Sequence, residues 1–287
     1  EAKNIRLFSF YVPSSLKTVV ITDATQIPAG AFYSLDYVKT VKMNDGIKSI
    51  GSSAFSANDV LSQCIIPESV ETIGFSAFST TALSEVYIPD LVSAIEQNTF
   101  YGCTKLSKAN LGNNVATIGT QAFYNTALST LVIPDSVTTI NNLAFAQQTS
   151  NLTLKSVDFG ENLQTIGREA FKNNNGLTII EIPNSLQTIN DGVFYGCNSI
   201  KSITLPFVGY SRTSTGYSSA FGYIFGYSTS SSSSYNYHQY SGTNYYGFYV
   251  PSSLKTVVVT DATRIPNGAF YYEDSITTIK LNNGIKT

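Results

Sequence analysis

Apolar residues recur along this chain in a unit of about 23 residues. The unit begins with alternating apolar and polar positions, which predict a short half-buried β-strand. A proline follows and ends the strand, because it lacks a backbone donor. One unit contains the pattern as Leu131, Ile133, Pro134, Val137, Ile140 and Phe145. Each unit therefore predicts one strand, a looser turn or second short strand, and one helical turn that carries an inward-facing phenylalanine.

The closing phenylalanine, usually preceded by alanine, occurs at Phe32, Phe55, Phe78, Phe100, Phe123, Phe145, Phe171, Phe194 and Phe270. One unit is too short to bury its apolar side chains, whereas stacked units bury them against their neighbours. Independent hairpins would not keep seven positions in register through eight consecutive copies. We therefore expect a β-rich solenoid, a right-handed coil of about nine 22–26-residue repeats with short strands and short helical turns.

The complete pattern resembles the BspA-type leucine-rich repeats of surface proteins from anaerobic bacteria and some mucosal protists. The clearest copy runs from Ile66 and Pro67 through Val70 and Ile73 to Phe78. The resemblance covers nearly the whole chain outside 207–247. It implies a leucine-rich-repeat solenoid and an adhesin that binds host proteins. It carries over no catalytic residues.

The chain also contains a second, longer repeat that includes more than one of these units. Residues 10–49 return as residues 248–287, and 28 of the 40 paired positions are identical. We expect the chain to be a fragment of a longer secreted protein that holds several such units in tandem. The sequence predicts a solenoid over 1–206, a Tyr/Ser/Gly-rich insertion over 207–247, and further coils over 248–287.

The insertion is rich in aromatic residues. Between residues 207 and 249 lie ten of the chain's 19 tyrosines and four phenylalanines. The aromatics either fold back on the solenoid as packing or form a contact surface, since tyrosine supplies rigid amphipathic area at low entropic cost. We expect most of this segment to be ordered, with a mobile tip at 228–234. The candidate binding residues are Tyr217, Tyr223, Tyr227, Tyr235, Tyr237, His238, Tyr240 and Tyr245.

The low and scattered charge of the chain argues against several classes of partner. Charged residues make up 13% of the chain, the formal net charge is −2, and Lys and Arg are scattered singly. Such a surface has no field that favours nucleic acid or an anionic membrane. No stretch approaches 18 apolar residues, so we expect no membrane insertion in this fragment.

Catalytic chemistry is poorly supported by the sequence. Cys64, Cys103 and Cys197 fall at inward positions too far apart for a disulfide, so we expect three small buried hydrophobic residues. His238 is the only histidine, and no acid lies near it in sequence. Acidic residues that follow a proline, such as Asp90 and Asp135, indicate solvated loops. We expect no enzyme, no cofactor and no metal.

Three functions remain open. The first is a surface-exposed adhesion module, extracellular or on the cell surface, that recognises a host or extracellular protein. The second is a glycan-binding module that uses the Tyr-rich insertion. The third is a passive structural spacer.

Overall fold

The computed structural model describes residues 13–228, 236–239, 245–271 and 273–286. These residues form a parallel β-solenoid, which confirms the predicted fold class. Each coil adds one short strand to a first ladder, and most coils add a second strand to another ladder. Pairing is in register from coil to coil, as when Leu131 lies opposite Val157 and Ile140 opposite Ile166. Every repeat therefore presents the same residue slot to its neighbour.

The first ladder defines eleven coils, which are numbered here by its strands. The strands are Thr18–Val20, Thr40–Lys42, Gln63–Cys64, Glu85–Tyr87, Lys108–Asn110, Thr130–Val132, Ser156–Asp158, Ile179–Glu181, Ser202–Leu205, Thr256–Val259 and Thr278–Leu281. Their middle residues point inward and their flanking residues point to solvent in most coils, as expected for half-buried strands.

The second ladder contains eight strands within the described ranges, all in coils one to eight. They are Gln26–Ile27, Ser49–Ile50, Thr72–Ile73, Ala94–Ile95, Thr117–Ile118, Thr139–Ile140, Thr165–Ile166 and Thr188–Ile189. The sequence left open whether the segment after the proline is a looser turn or a second short strand, and the structure shows a strand.

The predicted count of about nine repeats is two coils too low. Coil nine, which begins with Ser202–Leu205, continues into the insertion instead of the usual phenylalanine turn. Coil eleven contains the strand Thr278–Leu281 but no following phenylalanine. Counting phenylalanines therefore missed both coils, although both pair in register with the strands beside them.

The repeated phenylalanines form one continuous column inside the solenoid. From Phe32 to Phe194, neighbouring rings stack with centroids 5.2–5.9 Å apart and interplanar angles of 20° or less. Seven of the eight rings are fully buried, and Phe32 at the N-terminal end is half-buried. Burying one such side chain stabilises the fold by about 1.5–3 kcal/mol. The phenylalanine column runs through the apolar core, which the inward-facing aliphatic residues of both ladders complete.

The turn that carries each phenylalanine differs from the predicted helical turn. Its backbone makes successive bonds between residues three apart, such as Ala146 N–H to the Leu143 carbonyl. The phenylalanine N–H donates instead to the next coil, as from Phe123 to Ala144 at 2.8 Å. The residue two positions before the phenylalanine has a left-handed backbone conformation. This holds even where that residue is a leucine, as at Leu143 with φ 58°. The turn is therefore held by its neighbouring coil and not by a helix.

In most turns, the position three residues after the phenylalanine is buried and holds a polar side chain or a cysteine. Thr126 donates to the Phe123 carbonyl at 3.1 Å, and Asn174 donates to the Phe171 carbonyl at 2.9 Å. Cys103 and Cys197 fill the same slot and donate to carbonyls of the preceding coil at 3.1 Å. These two cysteines are buried, as expected, but they also satisfy backbone acceptors that the turn leaves open.

The cysteines are all unbridged, and Cys64 is half-buried beside the core. Burial raises the pKa of Cys64 to about 12, and it raises the pKa of Cys197 to about 12 as well. Burial also raises the pKa of Cys103, against a smaller lowering by its hydrogen bonds with Thr81. None of the three thiols is poised as a nucleophile, which needs a lowered pKa.

The acidic residues that follow prolines do more than solvate loops, so that interpretation was incomplete. Asp90 accepts a bond from the Asn113 backbone N–H at 2.7 Å, and Asp135 accepts one from Glu161 N–H at 2.8 Å. Each carboxylate thus ties its turn to the next coil, which sequence spacing alone did not reveal.

The phenylalanine column gives a stability prediction that uses two phenylalanines of one coil. Phe78 is fully buried and stacked on both sides, whereas Phe75 is 55% exposed. We expect Phe78→Ala to lower the free energy of unfolding by about 3–5 kcal/mol, since it removes a ring and leaves a cavity. Phe75→Ala should change it by less than about 0.5 kcal/mol. Urea denaturation measures both, and equal losses would contradict a buried column.

The polar slot gives a second prediction. Thr126→Val keeps the side-chain shape but leaves the Phe123 carbonyl without its donor, so we expect a loss of about 1–3 kcal/mol. Thr130→Val, on the exposed side of strand Thr130–Val132, serves as the matched control and should be neutral or slightly stabilising. Thermal and urea denaturation compare the pair, and a neutral Thr126→Val would show that the slot contributes nothing.

Candidate functional site

The insertion replaces the phenylalanine turn of coil nine. A 3₁₀-helix, Phe221–Phe225, occupies this place. Phe194 N–H donates to the Ile224 carbonyl at 2.9 Å, and Phe221 N–H donates to the Ala269 carbonyl at 3.0 Å. Both bonds repeat the pattern by which phenylalanine turns join from coil to coil. The phenylalanine column thus continues from coil eight to coil ten through residues of the insertion.

Ring contacts agree with this backbone path. Phe225 lies 6.4 Å from Phe194, and Phe221 lies 5.6 Å from Phe225 and 5.1 Å from Phe270, measured between ring centroids. Part of the insertion is therefore core, which supports the packing interpretation for these residues.

The side chain of one arginine fixes the start of the insertion. Arg212 donates to the carbonyls of Leu186 at 2.7 Å and Asn184 at 2.9 Å, and it pairs with Asp261 at 2.6 Å. Its guanidinium also lies over the Phe207 ring, 5.1 Å from the centroid. One side chain thus joins the insertion to coils eight and ten.

Beyond the 3₁₀-helix, the insertion forms a three-stranded antiparallel sheet. Its central strand is Tyr245–Phe248, which pairs with Tyr227–Ser228 on one side and with Asn236–Gln239 on the other. The sheet packs toward the solenoid through Phe248, which is buried. A Cβ on Gly222 would lie 2.4 Å from Phe248, so only glycine allows this approach.

Three of the predicted binding tyrosines meet at this junction. Tyr223 lies in the 3₁₀-helix and is 8% exposed, whereas Tyr217 is 36% exposed and Tyr227 is half-buried. The Tyr217 ring lies 5.8 Å from Tyr223 and 5.1 Å from Tyr227. Tyr210 contacts Tyr223 edge-on at 6.3 Å. We call Tyr210, Tyr217, Tyr223 and Tyr227 the tyrosine cluster, in which Tyr223 supports the more exposed rings.

The other predicted binding residues are less well defined. Tyr235 and Tyr240 lie outside the described residues, and so does most of the predicted tip at 228–234. Tyr237 and His238 lie in strand Asn236–Gln239, and Tyr245 begins the central strand. Only the backbone pairing of these three residues is described.

A pocket of about 240 Å³ lies beside the tyrosine cluster, where the insertion meets coils seven and eight. Its lining consists of Arg168, Glu169, Lys172, Asp191, Gly192, Tyr195, Gly226, Tyr227 and Tyr249. Among these, sequence reasoning singled out only Tyr227. A signal was nevertheless present, because Arg168, Glu169 and Lys172 lie within three positions of Phe171, whereas the turns of the first six coils have no charged residue that close to the phenylalanine.

The charged groups of the pocket form a compact network. Arg168 lies 3.4 Å from both Glu169 and Asp191, and Lys172 pairs with Glu169 at 2.5 Å. The Lys172 ammonium also lies 5.2 Å from the Tyr195 ring centroid. Two cations and two carboxylates therefore balance one another at the pocket wall.

Of the four charged residues in this network, Asp191 has the least complete set of hydrogen bonds. Its Oδ1 is buried and accepts no hydrogen bond from the part of the chain that the structure describes. Burial raises the pKa of Asp191, against a lowering by Arg168, and Glu169 raises it further. Burial likewise raises the pKa of Tyr223 to about 12, with a further contribution from Asp191. Asp191 thus keeps one carboxylate oxygen that solvent does not reach and that has no donor among the described residues.

Two glycines bring the pocket walls together. Gly192 and Gly226 have φ of 62° and 82°, in the left-handed region that favours glycine. A Cβ on Gly226 would lie 2.9 Å from the Tyr195 ring. The bare backbone at these positions allows the insertion to contact coil eight closely and leaves the space above it open.

The fold and this junction define a leucine-rich-repeat solenoid interrupted by an aromatic insertion. The model of the BspA-type leucine-rich-repeat region matches residues 25–153, 124–232 and 219–287, in six copies. The chain belongs to this family, which confirms the resemblance inferred from its motifs. Stacked repeats of this class present extended surfaces and form protein-interaction modules, which are typically non-enzymatic.

Solved structures also match the chain. A leucine-rich repeat protein from Bacteroides ovatus matches with a TM-score of 0.61 and 22% identity, over 94% of this chain and 70% of that one. The pneumococcal vaccine antigen PcpA matches with a TM-score of 0.45 and 17% identity, over 96% and 78%. A leucine-rich cell surface protein from Faecalibacterium prausnitzii matches with a TM-score of 0.37 and 21% identity, over 93% and 79%. No curated protein matches the chain.

Two further observations concern the described ranges alone. They contain no helix long and apolar enough to cross a membrane. They also contain no group of three or more His, Cys, Asp and Glu side chains arranged to hold a metal ion.

The raised pKa of Asp191 gives a pH-dependent prediction. The unfolded chain releases this proton at a lower pH than the folded chain, so stability falls as the pH rises from the ordinary aspartate value to the raised one. We therefore expect Asp191→Asn to raise the unfolding midpoint at about pH 7 and to leave it nearly unchanged at about pH 3. Exposed Asp158→Asn is the control. An equal gain at both pH values would show that charge is not the cause.

Proposed function

We propose that this chain is a surface-exposed adhesion module that binds an extracellular or host protein through the tyrosine cluster. The observation that carries the proposal is the arrangement of Tyr217 and Tyr227 over buried Tyr223. The rings are held in place before a partner arrives, so binding orders few side chains and loses little entropy. The proposal includes a position outside the cell and no catalytic activity.

The surroundings of the cluster also suit a protein partner. Tyrosine and arginine are enriched among the residues that dominate protein interfaces. Tyr217 and Arg168 are both exposed; Tyr217 contacts the Tyr227 ring, and Arg168 lines the same pocket as Tyr227. The low total charge of the chain leaves affinity to aromatic and hydrogen-bonding contacts, with little electrostatic steering.

Tyr217→Ala tests the proposal, with Tyr33→Ala as the matched control. Both residues are exposed tyrosines, but Tyr33 lies in coil one, far along the rod from the insertion. A panel of immobilised extracellular matrix proteins first identifies a partner for the whole chain by surface plasmon resonance. We expect Tyr217→Ala to weaken binding by about tenfold or more, as for an aromatic hot spot, and Tyr33→Ala to have no effect.

Substitution is a better test than deletion of the insertion. Removing the insertion would also remove Phe221 and Phe225 from the phenylalanine column and unfold the junction. Unchanged affinity of Tyr217→Ala would place the contact elsewhere, for example on the outward positions of the first ladder, where Val132 and Ile179 are exposed. No binding to any protein of the panel would favour a passive spacer.

A further inference from the structure

Coils one and ten have closely similar sequences but different surroundings. Residues 10–49 and 248–287 are identical at 28 of 40 paired positions. Leu16 in coil one is 37% exposed, whereas the matching Leu254 in coil ten is fully buried. Two further matching pairs change from exposed to buried, and they are Pro13 with Pro251 and Ala31 with Ala269. The same side chains are therefore covered in coil ten and open in coil one.

Coil nine covers one side of coil ten. Strand Thr256–Val259 pairs in parallel with strand Ser202–Leu205 along its whole length. The Ser253 hydroxyl, just before the strand, donates to the Ile200 carbonyl at 2.7 Å. Coil nine thus supplies coil ten with a strand partner and with a backbone acceptor for a side chain.

The insertion covers the turn of coil ten. The Phe221 ring lies 5.1 Å from the Phe270 ring, measured between centroids, and the Phe221 N–H donates to the Ala269 carbonyl at 3.0 Å. Arg212 pairs with Asp261 at 2.6 Å. Coil ten is therefore held by strand pairing, by a ring contact and by an ion pair.

Coil one keeps the side chains that these contacts use. They are Ser15, Asp23 and Phe32, which match the serine, the aspartate and the phenylalanine of coil ten. Ser15 and Asp23 are exposed, and Phe32 is half-buried. The charged side chain that is not kept is Arg264, whose place is taken by Gln26. The open face of coil one is thus complementary to the surface that coil nine and the insertion present to coil ten.

This complementarity selects one occupant for the face of coil one. A separate copy of the chain does not offer a free coil nine, because its coil nine is already paired with its own coil ten. Coil nine is available where one unit is followed directly by coil one of the next. Units in tandem either hang from flexible segments or continue from coil to coil, and the match between coils one and ten favours continuation.

We propose that coil one is a docking face for coil nine and the insertion of a preceding unit of the same kind, so that tandem units form one continuous solenoid. Phe221 of the preceding unit lies against Phe32 in this join, and Arg212 of the preceding unit pairs with Asp23. Each unit then contributes nine coils, or about 43 Å of rod at the spacing of neighbouring strands. The tyrosine clusters would recur at this interval, which suits a partner with repeated binding sites.

Thiol labelling of a two-unit chain tests the join. The chain consists of residues 1–247 followed directly by residues 10–287, so coil one of the second unit takes the place of coil ten. Leu16→Cys in the second unit should react with a maleimide at least about tenfold more slowly than Leu16→Cys in the single chain, since a buried thiol reacts only after local opening. Val132→Cys, at a position 62% exposed in coil six, is the control and should react equally in both chains.

Two further measurements keep the test decisive. Leu254→Cys in the single chain gives the rate of the buried position that the join should reproduce. Small-angle scattering of the unsubstituted two-unit chain should show one rod about 43 Å longer than the single chain, and this measurement needs no variant to fold. The proposal is overturned if Leu16→Cys reacts equally fast in both chains, or if the two units scatter as rods joined by a flexible hinge. Concentration-dependent protection of Leu16→Cys in the single chain would also overturn it, because a separate copy would then be the occupant.

Discussion

The structure depends on the contact between one coil and the next. Each phenylalanine turn donates its central N–H to the following coil, and its ring stacks on the following ring. Neither interaction can form inside a single repeat, because one repeat has neither a second ring nor a second turn. The buried side chains after the turn, such as Thr126 and Cys197, satisfy the carbonyls that remain. Stability is therefore a property of neighbouring pairs of coils, as in other repeat proteins.

The same constraint explains why the insertion is partly core. A loop that simply left the solenoid at Pro206 and returned at coil ten would interrupt the phenylalanine column and expose Phe194 and Phe270. The 3₁₀-helix Phe221–Phe225 prevents this by presenting one ring to each side. The polar part of the insertion can then vary around this fixed segment. Tyr223 consequently belongs to the packing of the insertion, whereas the more exposed Tyr217 is the residue proposed for binding.

Much of this architecture was accessible from the sequence. The period of the phenylalanines predicted the solenoid, and the alternation around Leu131 predicted the first ladder. The family resemblance rested on the same residues. Two kinds of feature were not accessible. The extra coils lack the marker phenylalanine, so counting that marker missed them. The roles of Asp135 and Cys197 as hydrogen-bonding partners of a neighbouring coil require the register between coils, which one repeat does not contain.

The pocket was missed for a similar reason. Arg168 and Asp191 are 23 positions apart, and they become neighbours at 3.4 Å only because they occupy the same slot of adjacent turns. Charges on the slots around Phe171 and Phe194 stood out against the uncharged slots of the first six coils, but this contrast appears only after the repeats are aligned. Neither the volume of the pocket nor its two glycines follows from any pattern in the chain. They result from where the insertion returns to the solenoid.

The ending of the second ladder at Thr188–Ile189, among the described residues, changes how the later coils are joined. From coil nine onward the first ladder lengthens to the four-residue strands Ser202–Leu205, Thr256–Val259 and Thr278–Leu281. On the other side of these coils single backbone bonds remain, such as Lys286 N–H to the Thr263 carbonyl at 2.8 Å and Phe221 N–H to the Ala269 carbonyl at 3.0 Å. Longer pairing on one side therefore offsets the shorter contact on the other, so the solenoid carries an insertion at this position without losing the connection between its coils.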